Sequence, residues 1–164
     1  MSPLTGLVIG KFLPPHAGHL YLIARARQQA AQLSVVIFSK AAEPIPGALR
    51  LSWLRELLPG CLVYHVAREH PVDYADPDAW RFWVAAIREV LPSDPELVFS
   101  SEPYGDELAR RLGARHVIVD PERRHVPVSA TQIRRDPTAY WKFLPVPVRE
   151  YYESRPLFAA PPET

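Results

Sequence analysis

Five short apolar runs, each followed by a longer stretch of helical pattern, leave this chain few folds to choose from. The runs are Leu4 to Gly10, Ser34 to Ser39, Cys61 to Ala67, Leu97 to Ser100 and His116 to Asp120. They are largely continuous in their hydrophobicity rather than alternating, which is the pattern of strands buried on both faces. Helices are expected over Ala17 to Leu33, Ala48 to Leu58, Asp76 to Leu91 and Tyr104 to Leu112. Pro59-Gly60 stops the second of these and Gly113 caps the last. Thr131 to Tyr152 carries short helices broken by prolines. With right-handed crossovers this order gives a doubly wound α/β domain with a five-stranded parallel sheet. Ligands of such sheets bind beyond the carboxyl ends of the strands. The loops after Gly10, Ser39, Ser100 and Asp120 are therefore the expected site.

With 164 residues the chain is long enough for one core, so a single domain over residues 1–164 is expected, its tail from residue 156 frayed. The initial Met and the proline-rich tail suggest a complete chain. One cysteine, Cys61, excludes an internal disulfide and points to a reducing, cytoplasmic setting. No basic stretch leads into an apolar one at the N-terminus, and no apolar run approaches bilayer length, so a membrane partner is not expected. The 19 basic and 18 acidic residues nearly cancel, which gives no footprint for nucleic acid. Oligomeric state stays open, a homo-oligomer included.

The loop after the first strand reads Gly10-Lys11-Phe12-Leu13-Pro14-Pro15-His16-Ala17-Gly18-His19. Gly10 ends the strand where backbone must come close to a ligand. His16 precedes the first helix and His19 lies on its first turn. Gly18 leaves room for an anion at the helix N-terminus, and Lys11 adds a positive charge. The plain alternative is a proline-rich turn with two surface histidines. A zinc pair at i, i+3 spacing is another, but no third ligand stands at a typical distance.

The second segment, Asp120 to Pro137, contains Val128-Ser129-Ala130-Thr131-Gln132-Ile133-Arg134. Ser129 can cap the following short helix and, with nearby amides, form a second anion cradle. Thr131 and Arg134 are three residues apart and share a face, where the guanidinium can grip two phosphate oxygens. Alone, the segment also reads as a capped, solvated basic helix.

Together, Gly10, Phe12, Pro14, His16, Gly18 and His19 resemble the G-x-F-x-P-x-H-x-G-H signature of the nucleotidylyltransferase superfamily, and Ser129, Thr131 and Arg134 resemble its I-S-x-T-x-x-R signature, with Val128 in place of isoleucine. The resemblance implies a Rossmann-like nucleotidyltransferase domain in which His16, His19 and Lys11 act on the phosphates of ATP and Arg134 is catalytic with them. It also implies that Gly10, Phe12, Gly18, Ser129 and Thr131 belong to the ATP site. Arg123, in an Asp-x-x-Arg run that often precedes the second signature, is added to that site. The runs Asp136-Pro137-Thr138-Ala139-Tyr140-Trp141-Lys142-Phe143-Leu144-Pro145, Ile45 to Leu54 and Tyr104 to Ala109 look like the NadR-type nicotinamide-mononucleotide adenylyltransferase domain. The likeness covers most of residues 4–152 and lacks that group's helix-turn-helix and P-loop kinase parts.

Nicotinamide mononucleotide is then the expected acceptor, ATP the donor, and NAD and pyrophosphate the products. The same resemblance places one tryptophan, near the N-terminal end of the helix that holds Trp80 and Trp83, against the nicotinamide ring. Both also fall on an apolar helical stripe that reads as core. Arg50 is a candidate for the mononucleotide phosphate, or else a surface helix arginine. Tyr104 is assigned to the acceptor side and, with Gly105, borders the adenine. Mg²⁺ would come with ATP and needs few protein ligands. The alternatives are another phosphate acceptor (phosphopantetheine, flavin mononucleotide or a phospho-alcohol) and a nucleotide sensor without turnover.

Overall fold

The computed structural model of the protein describes residues 4–70 and 75–156, with Phe158 and Pro161. Five strands, β1 (Thr5–Gly10), β2 (Gln32–Ser39), β3 (Leu62–Ala67), β4 (Leu97–Ser100) and β5 (Arg115–Ile118), pair in parallel in the order β3-β2-β1-β4-β5. Their crossovers are α1 (Ala17–Arg27), α2 (Gly47–Leu57), α3 (Pro77–Val90) and α4 (Tyr104–Leu112). The doubly wound sheet is thus the one the alternation predicts.

Side chains alternate across the sheet. Leu7, Val36, Phe38, Val66 and Val98 pack under α3 and α4 with Trp80, Trp83, Ile87 and Leu108. Val8, Val35, Ile37, Val63 and Phe99 pack under α1 and α2 with Ile23, Ala26 and Leu54. Chain order reverses between β1 and β4, so the loop after β1 and the loop after β4 diverge to opposite faces. The crevice they open is the place where such sheets hold ligands.

Two boundaries differ from the sequence pattern. The first helix ends at Arg27, capped by Gln28, and not at Leu33. Thr5 pairs with Gln32 and Gly6 with Leu33, so sheet pairing takes these residues from the helix. The fifth strand runs Arg115–Ile118 and lets go before Asp120, which turns with φ 44°.

Beyond β5 come α5 (Ala130–Arg135), a 3-10 turn at Trp141–Phe143 and α6 (Val146–Glu153). They form a third apolar cluster, in which Val128, Ile133, Leu144 and Val148 meet Leu13, Ile45 and Trp53. This cluster fastens the C-terminal segment onto the β1–α1 loop. Of the tail expected to fray, Phe158 still stacks on Trp141 at 5.4 Å between ring centres. Residues 1–3, 71–74, 157, 159, 160 and 162–164 lie outside the described residues.

Candidate active site

The β1–α1 loop is built around its two histidines. His16 is the N-cap of α1, and its Nδ1 accepts the Gly18 amide at 3.0 Å. His19 closes the reciprocal half of the capping box, its Nδ1 accepting the His16 amide at 3.1 Å. The rings lie face to face, 3.8 Å apart at 30°. Because a backbone amide only donates, Nδ1 of each ring must be unprotonated, and the neutral rings carry their hydrogen on Nε2. Burial, helped by Arg123, lowers the His16 pKa to about 4. Burial, then His16 and Arg123, push His19 well below its ordinary value. Both are neutral near pH 7 and offer Nε2–H donors.

Gly18 lines a cavity at the helix end and is also required by the His16 ring. A Cβ there would stand 2.8 Å from the His16 ring, so glycine admits the imidazole over the helix end. Phe12 is buried, takes φ 49° and lies 4.7 Å from the His19 ring. Asp120 and Arg123 of the second segment also have positive φ, 44° and 53°. Such backbone is uncommon outside glycine and gathers where loops are held in place for function.

Residues from the two segments meet in one cavity of ≈ 460 Å³. Lys11 and His19 line it from the first segment, Thr131 and Arg134 from the second, with Glu102 and Tyr104 between. Arg134 binds the Leu13 carbonyl at 2.5 Å and touches the Thr131 hydroxyl at 3.4 Å. Ser129 caps α5 in a second capping box with Gln132. A neighbouring cavity runs along Gly10, His16, Gly18, Arg123 and Tyr104. Arg123 bridges the Glu102 carboxylate at 2.9 Å and the Val128 carbonyl at 2.8 Å, tying the β4–α4 loop to the second segment.

On the other side of Tyr104 lies an aromatic pocket of ≈ 230 Å³, walled by Ile9, Lys11, Phe38, His70, Trp83 and Tyr104. Trp83 is buried except where it faces this pocket. Trp80 meets it edge-on at 5.2 Å and borders a separate, wider cavity beside Arg111. Both tryptophans are core residues, and each also shows one edge to a cavity.

Arg50 is not a surface residue. It is fully buried, with its guanidinium on the Ile45 carbonyl (3.0 Å), the Lys11 carbonyl (2.6 Å) and the Glu43 carboxylate (2.7 Å). Three of its N–H donors are committed inside the protein and none of its side chain is exposed, which argues against the acceptor-phosphate role it was a candidate for. Glu43 also faces the Lys11 ammonium at 3.5 Å, so Arg50 and Glu43 together brace both the backbone and the side chain of Lys11.

Sequence reasoning missed a matched pair of braces. At the end of β2 the Ser39 hydroxyl lies 2.6 Å from His65 Nε2, over Gly47. At the end of β4 the Ser100 hydroxyl lies 2.7 Å from His116 Nε2, over Gly105. His116 Nδ1 donates to Asp106 at 2.6 Å. This serine–histidine–aspartate row resembles a nucleophile relay, but Ser100 is buried and its hydroxyl is turned onto the Glu102 carbonyl at 3.0 Å. It fixes the loop that carries Glu102 and Tyr104. Glu43, Phe38, His70 and Glu102 were also missed, since nothing in their local sequence sets them apart.

Among the described residues no helix is long and apolar enough to cross a membrane. No family model matches the chain. It is 30% identical over 167 residues to the trifunctional NAD biosynthesis/regulator protein NadR of Escherichia coli, covering 90% of this chain and 40% of that protein. It is 27% identical over 135 residues to the nicotinamide-nucleotide adenylyltransferase of Pyrococcus furiosus, covering 79% of this chain and 71% of that one. The fold matches a crystal structure of a NadR protein in complex with NAD and AMP-PNP, with a TM-score of 0.71 and 22% identity, over 92% of this chain and 47% of that one. The chain therefore spans less than half the length of the NadR proteins it matches; in sequence it is similar to those proteins and to an archaeal nicotinamide-nucleotide adenylyltransferase, and in fold to a NadR protein.

Proposed function

We propose that this protein transfers the adenylyl group of ATP to nicotinamide mononucleotide, giving NAD and pyrophosphate. The observation that carries the reading is the single cavity where Lys11 and His19 meet Thr131 and Arg134, next to an aromatic pocket roomy enough for a pyridine ring. The mononucleotide phosphate attacks the α-phosphorus in line, and the P–O bond to pyrophosphate breaks. The nucleophile is already an anion, so no general base is required. Catalysis then consists of positioning and of donors aimed at growing negative charge.

Neutral Nε2–H donors of His16 and His19 suit that task, and Lys11 adds charge at the junction of the two compartments. Arg134 and Thr131 take the departing pyrophosphate, with Ser129 holding their helix. Gly10, Gly18, Phe12 and Arg123 shape the ATP side; Trp83 and Tyr104 hold the acceptor ring, with Trp80 behind them. Mg²⁺ arrives as part of the ATP substrate and neutralises phosphate charge. The acidic residues nearest the phosphates are already engaged, Glu102 with Arg123 and Asp120 with the Arg124 and His125 amides. A reducing, cytoplasmic setting suits the single cysteine.

Pyrophosphate release with ATP, Mg²⁺ and a panel of acceptors tests this. Nicotinamide mononucleotide should turn over, with phosphopantetheine and flavin mononucleotide inert. His19→Ala should lower kcat by about 100-fold. His19→Asn, which keeps an acceptor for the His16 amide, should stay folded and equally slow. Wild-type turnover in either variant would remove His19 from the reaction.

A further inference from the structure

The aromatic pocket contains one polar side chain that the reaction does not use. His70 is buried there, beyond β3, and its ring is fixed from two sides. Its Nδ1 lies 3.1 Å from the Arg68 carbonyl, and its ring meets Phe38 edge-on at 5.6 Å and 74°. The carbonyl is itself well placed, because the Arg68 amide continues the β2–β3 ladder onto the Ser39 carbonyl at 3.2 Å. A carbonyl only accepts, so Nδ1 carries the hydrogen. In the neutral ring Nε2 is then a bare acceptor.

A pyridine ring in this pocket brings a substituent that is either a carboxamide or a carboxylate. The carboxamide has an NH₂ to donate; the carboxylate has only acceptor oxygens and a negative charge. We propose that His70 is a specificity-determining residue that selects the carboxamide form of the acceptor, by accepting its NH₂ on Nε2 and opposing the lone pairs of a carboxylate. The inference rests on the adenylyl-transfer reading above and deepens it.

Two features bear on the charge of the pocket. Burial, against the Arg68 hydrogen bond and together with Lys40 and Lys11, lowers the pKa of His70, so the ring stays neutral near pH 7. Lys11 borders the same pocket, and its ammonium by itself would favour a carboxylate. Glu43 lies 3.5 Å from that ammonium and offsets it, and Lys11 also faces the phosphate cavity. The imidazole supplies the pocket with a neutral side-chain acceptor for the ring substituent.

The test is kcat/KM for nicotinamide mononucleotide and for nicotinate mononucleotide, measured in parallel in the wild type, His70→Leu and His70→Gln. The wild type should favour the amide by at least about tenfold. His70→Leu should lose most of that ratio through the amide arm alone, with the KM for ATP unchanged. His70→Gln, which again offers an acceptor, should recover part of it. A wild-type preference for the acid, or an unaltered ratio in His70→Leu, overturns the proposal. If the wild type turns over neither compound, the adenylyl-transfer reading fails. Tryptophan-fluorescence titration of the two mononucleotides then decides on His70: tighter amide binding that His70→Leu abolishes supports it, and equal affinities overturn it.

Discussion

Replacing Arg50 by methionine should unfold this protein far more readily than it weakens binding of the acceptor. The side chain has no exposed surface, and three of its contacts are lost together. Two are backbone carbonyls, at Ile45 (3.0 Å) and Lys11 (2.6 Å), and the third is the Glu43 carboxylate at 2.7 Å. Methionine restores much of the apolar volume but none of the donors. Glu43, whose side chain is only 10% exposed, keeps its charge with one remaining cation, Lys11 at 3.5 Å. Breaking one side of a buried ion pair costs about 3–5 kcal/mol, because the partner is left buried and uncompensated. Domains of this kind have about 5–15 kcal/mol to lose. At about 2–4 °C per kcal/mol for a chain of this size, the melting temperature should fall by roughly 6–20 °C.

Urea denaturation followed by tryptophan fluorescence, with calorimetry alongside, measures the loss. A double-mutant cycle with Glu43→Gln isolates the cause. Once the carboxylate is neutral, removing Arg50 should cost at least about 1 kcal/mol less than in the parent. The alternative, in which Arg50 grips the mononucleotide phosphate, predicts the opposite pattern. Stability within about 1 kcal/mol of the parent, joined to a large rise in the acceptor KM, would refute the buried-brace argument and return Arg50 to the acceptor site.

Two further outcomes follow from the same geometry. His16 takes a proton near pH 6.5 in the unfolded chain and only near about 4 in the folded one, so between these values the unfolded state holds more protons and stability rises with pH. That contribution, about 3 kcal/mol at about 1.4 kcal/mol per pH unit, is fully present above pH 6.5 and gone by about pH 4. His16→Asn keeps the helix cap and should flatten the urea midpoint between pH 7.5 and 4; a profile superimposed on the parent's would deny the histidine this role. Gly105→Ala would drive a Cβ into His116 Nε2 and the Ser100 hydroxyl. It should destabilise by about 1–3 kcal/mol and raise the KM for ATP by loosening the Glu102–Tyr104 loop, and an unchanged urea midpoint would show that the brace bears no strain.

Legibility of the site varied with the distance over which each residue acts. Ser129 was legible as a helix cap because it acts on the turn that follows it, and His16 and His19 stood out by their spacing at a strand-to-helix turn, although their capping bonds, and that of Gln132, appear only in the structure. Arg50 looked like any helix arginine because its partners, Lys11 and Glu43, lie on other segments. The cavity roles of His70 and Phe38 have the same cause. A strand-terminal phenylalanine and a loop histidine become pocket walls only when β1, β2, α3 and α4 converge on them.

The sequence by itself determined the five parallel strands, the helices between them and the two phosphate segments. Continuous apolar runs can be satisfied only by a sheet covered on both faces, and cap and turn residues act within a few positions of themselves. Tertiary structure alone decided where α1 stops, because the pairing of Gln32 and Leu33 with β1 outweighs a weak helical preference. It also decided that residues more than 100 positions apart share one cavity. The third apolar cluster, with Leu13 against Val128 and Ile133, presses the second segment onto the first, and its members show no period that a one-dimensional reading could detect. Burial turned Arg50 from a ligand candidate into a brace, since the desolvation that fixes its partners depends on everything packed around it.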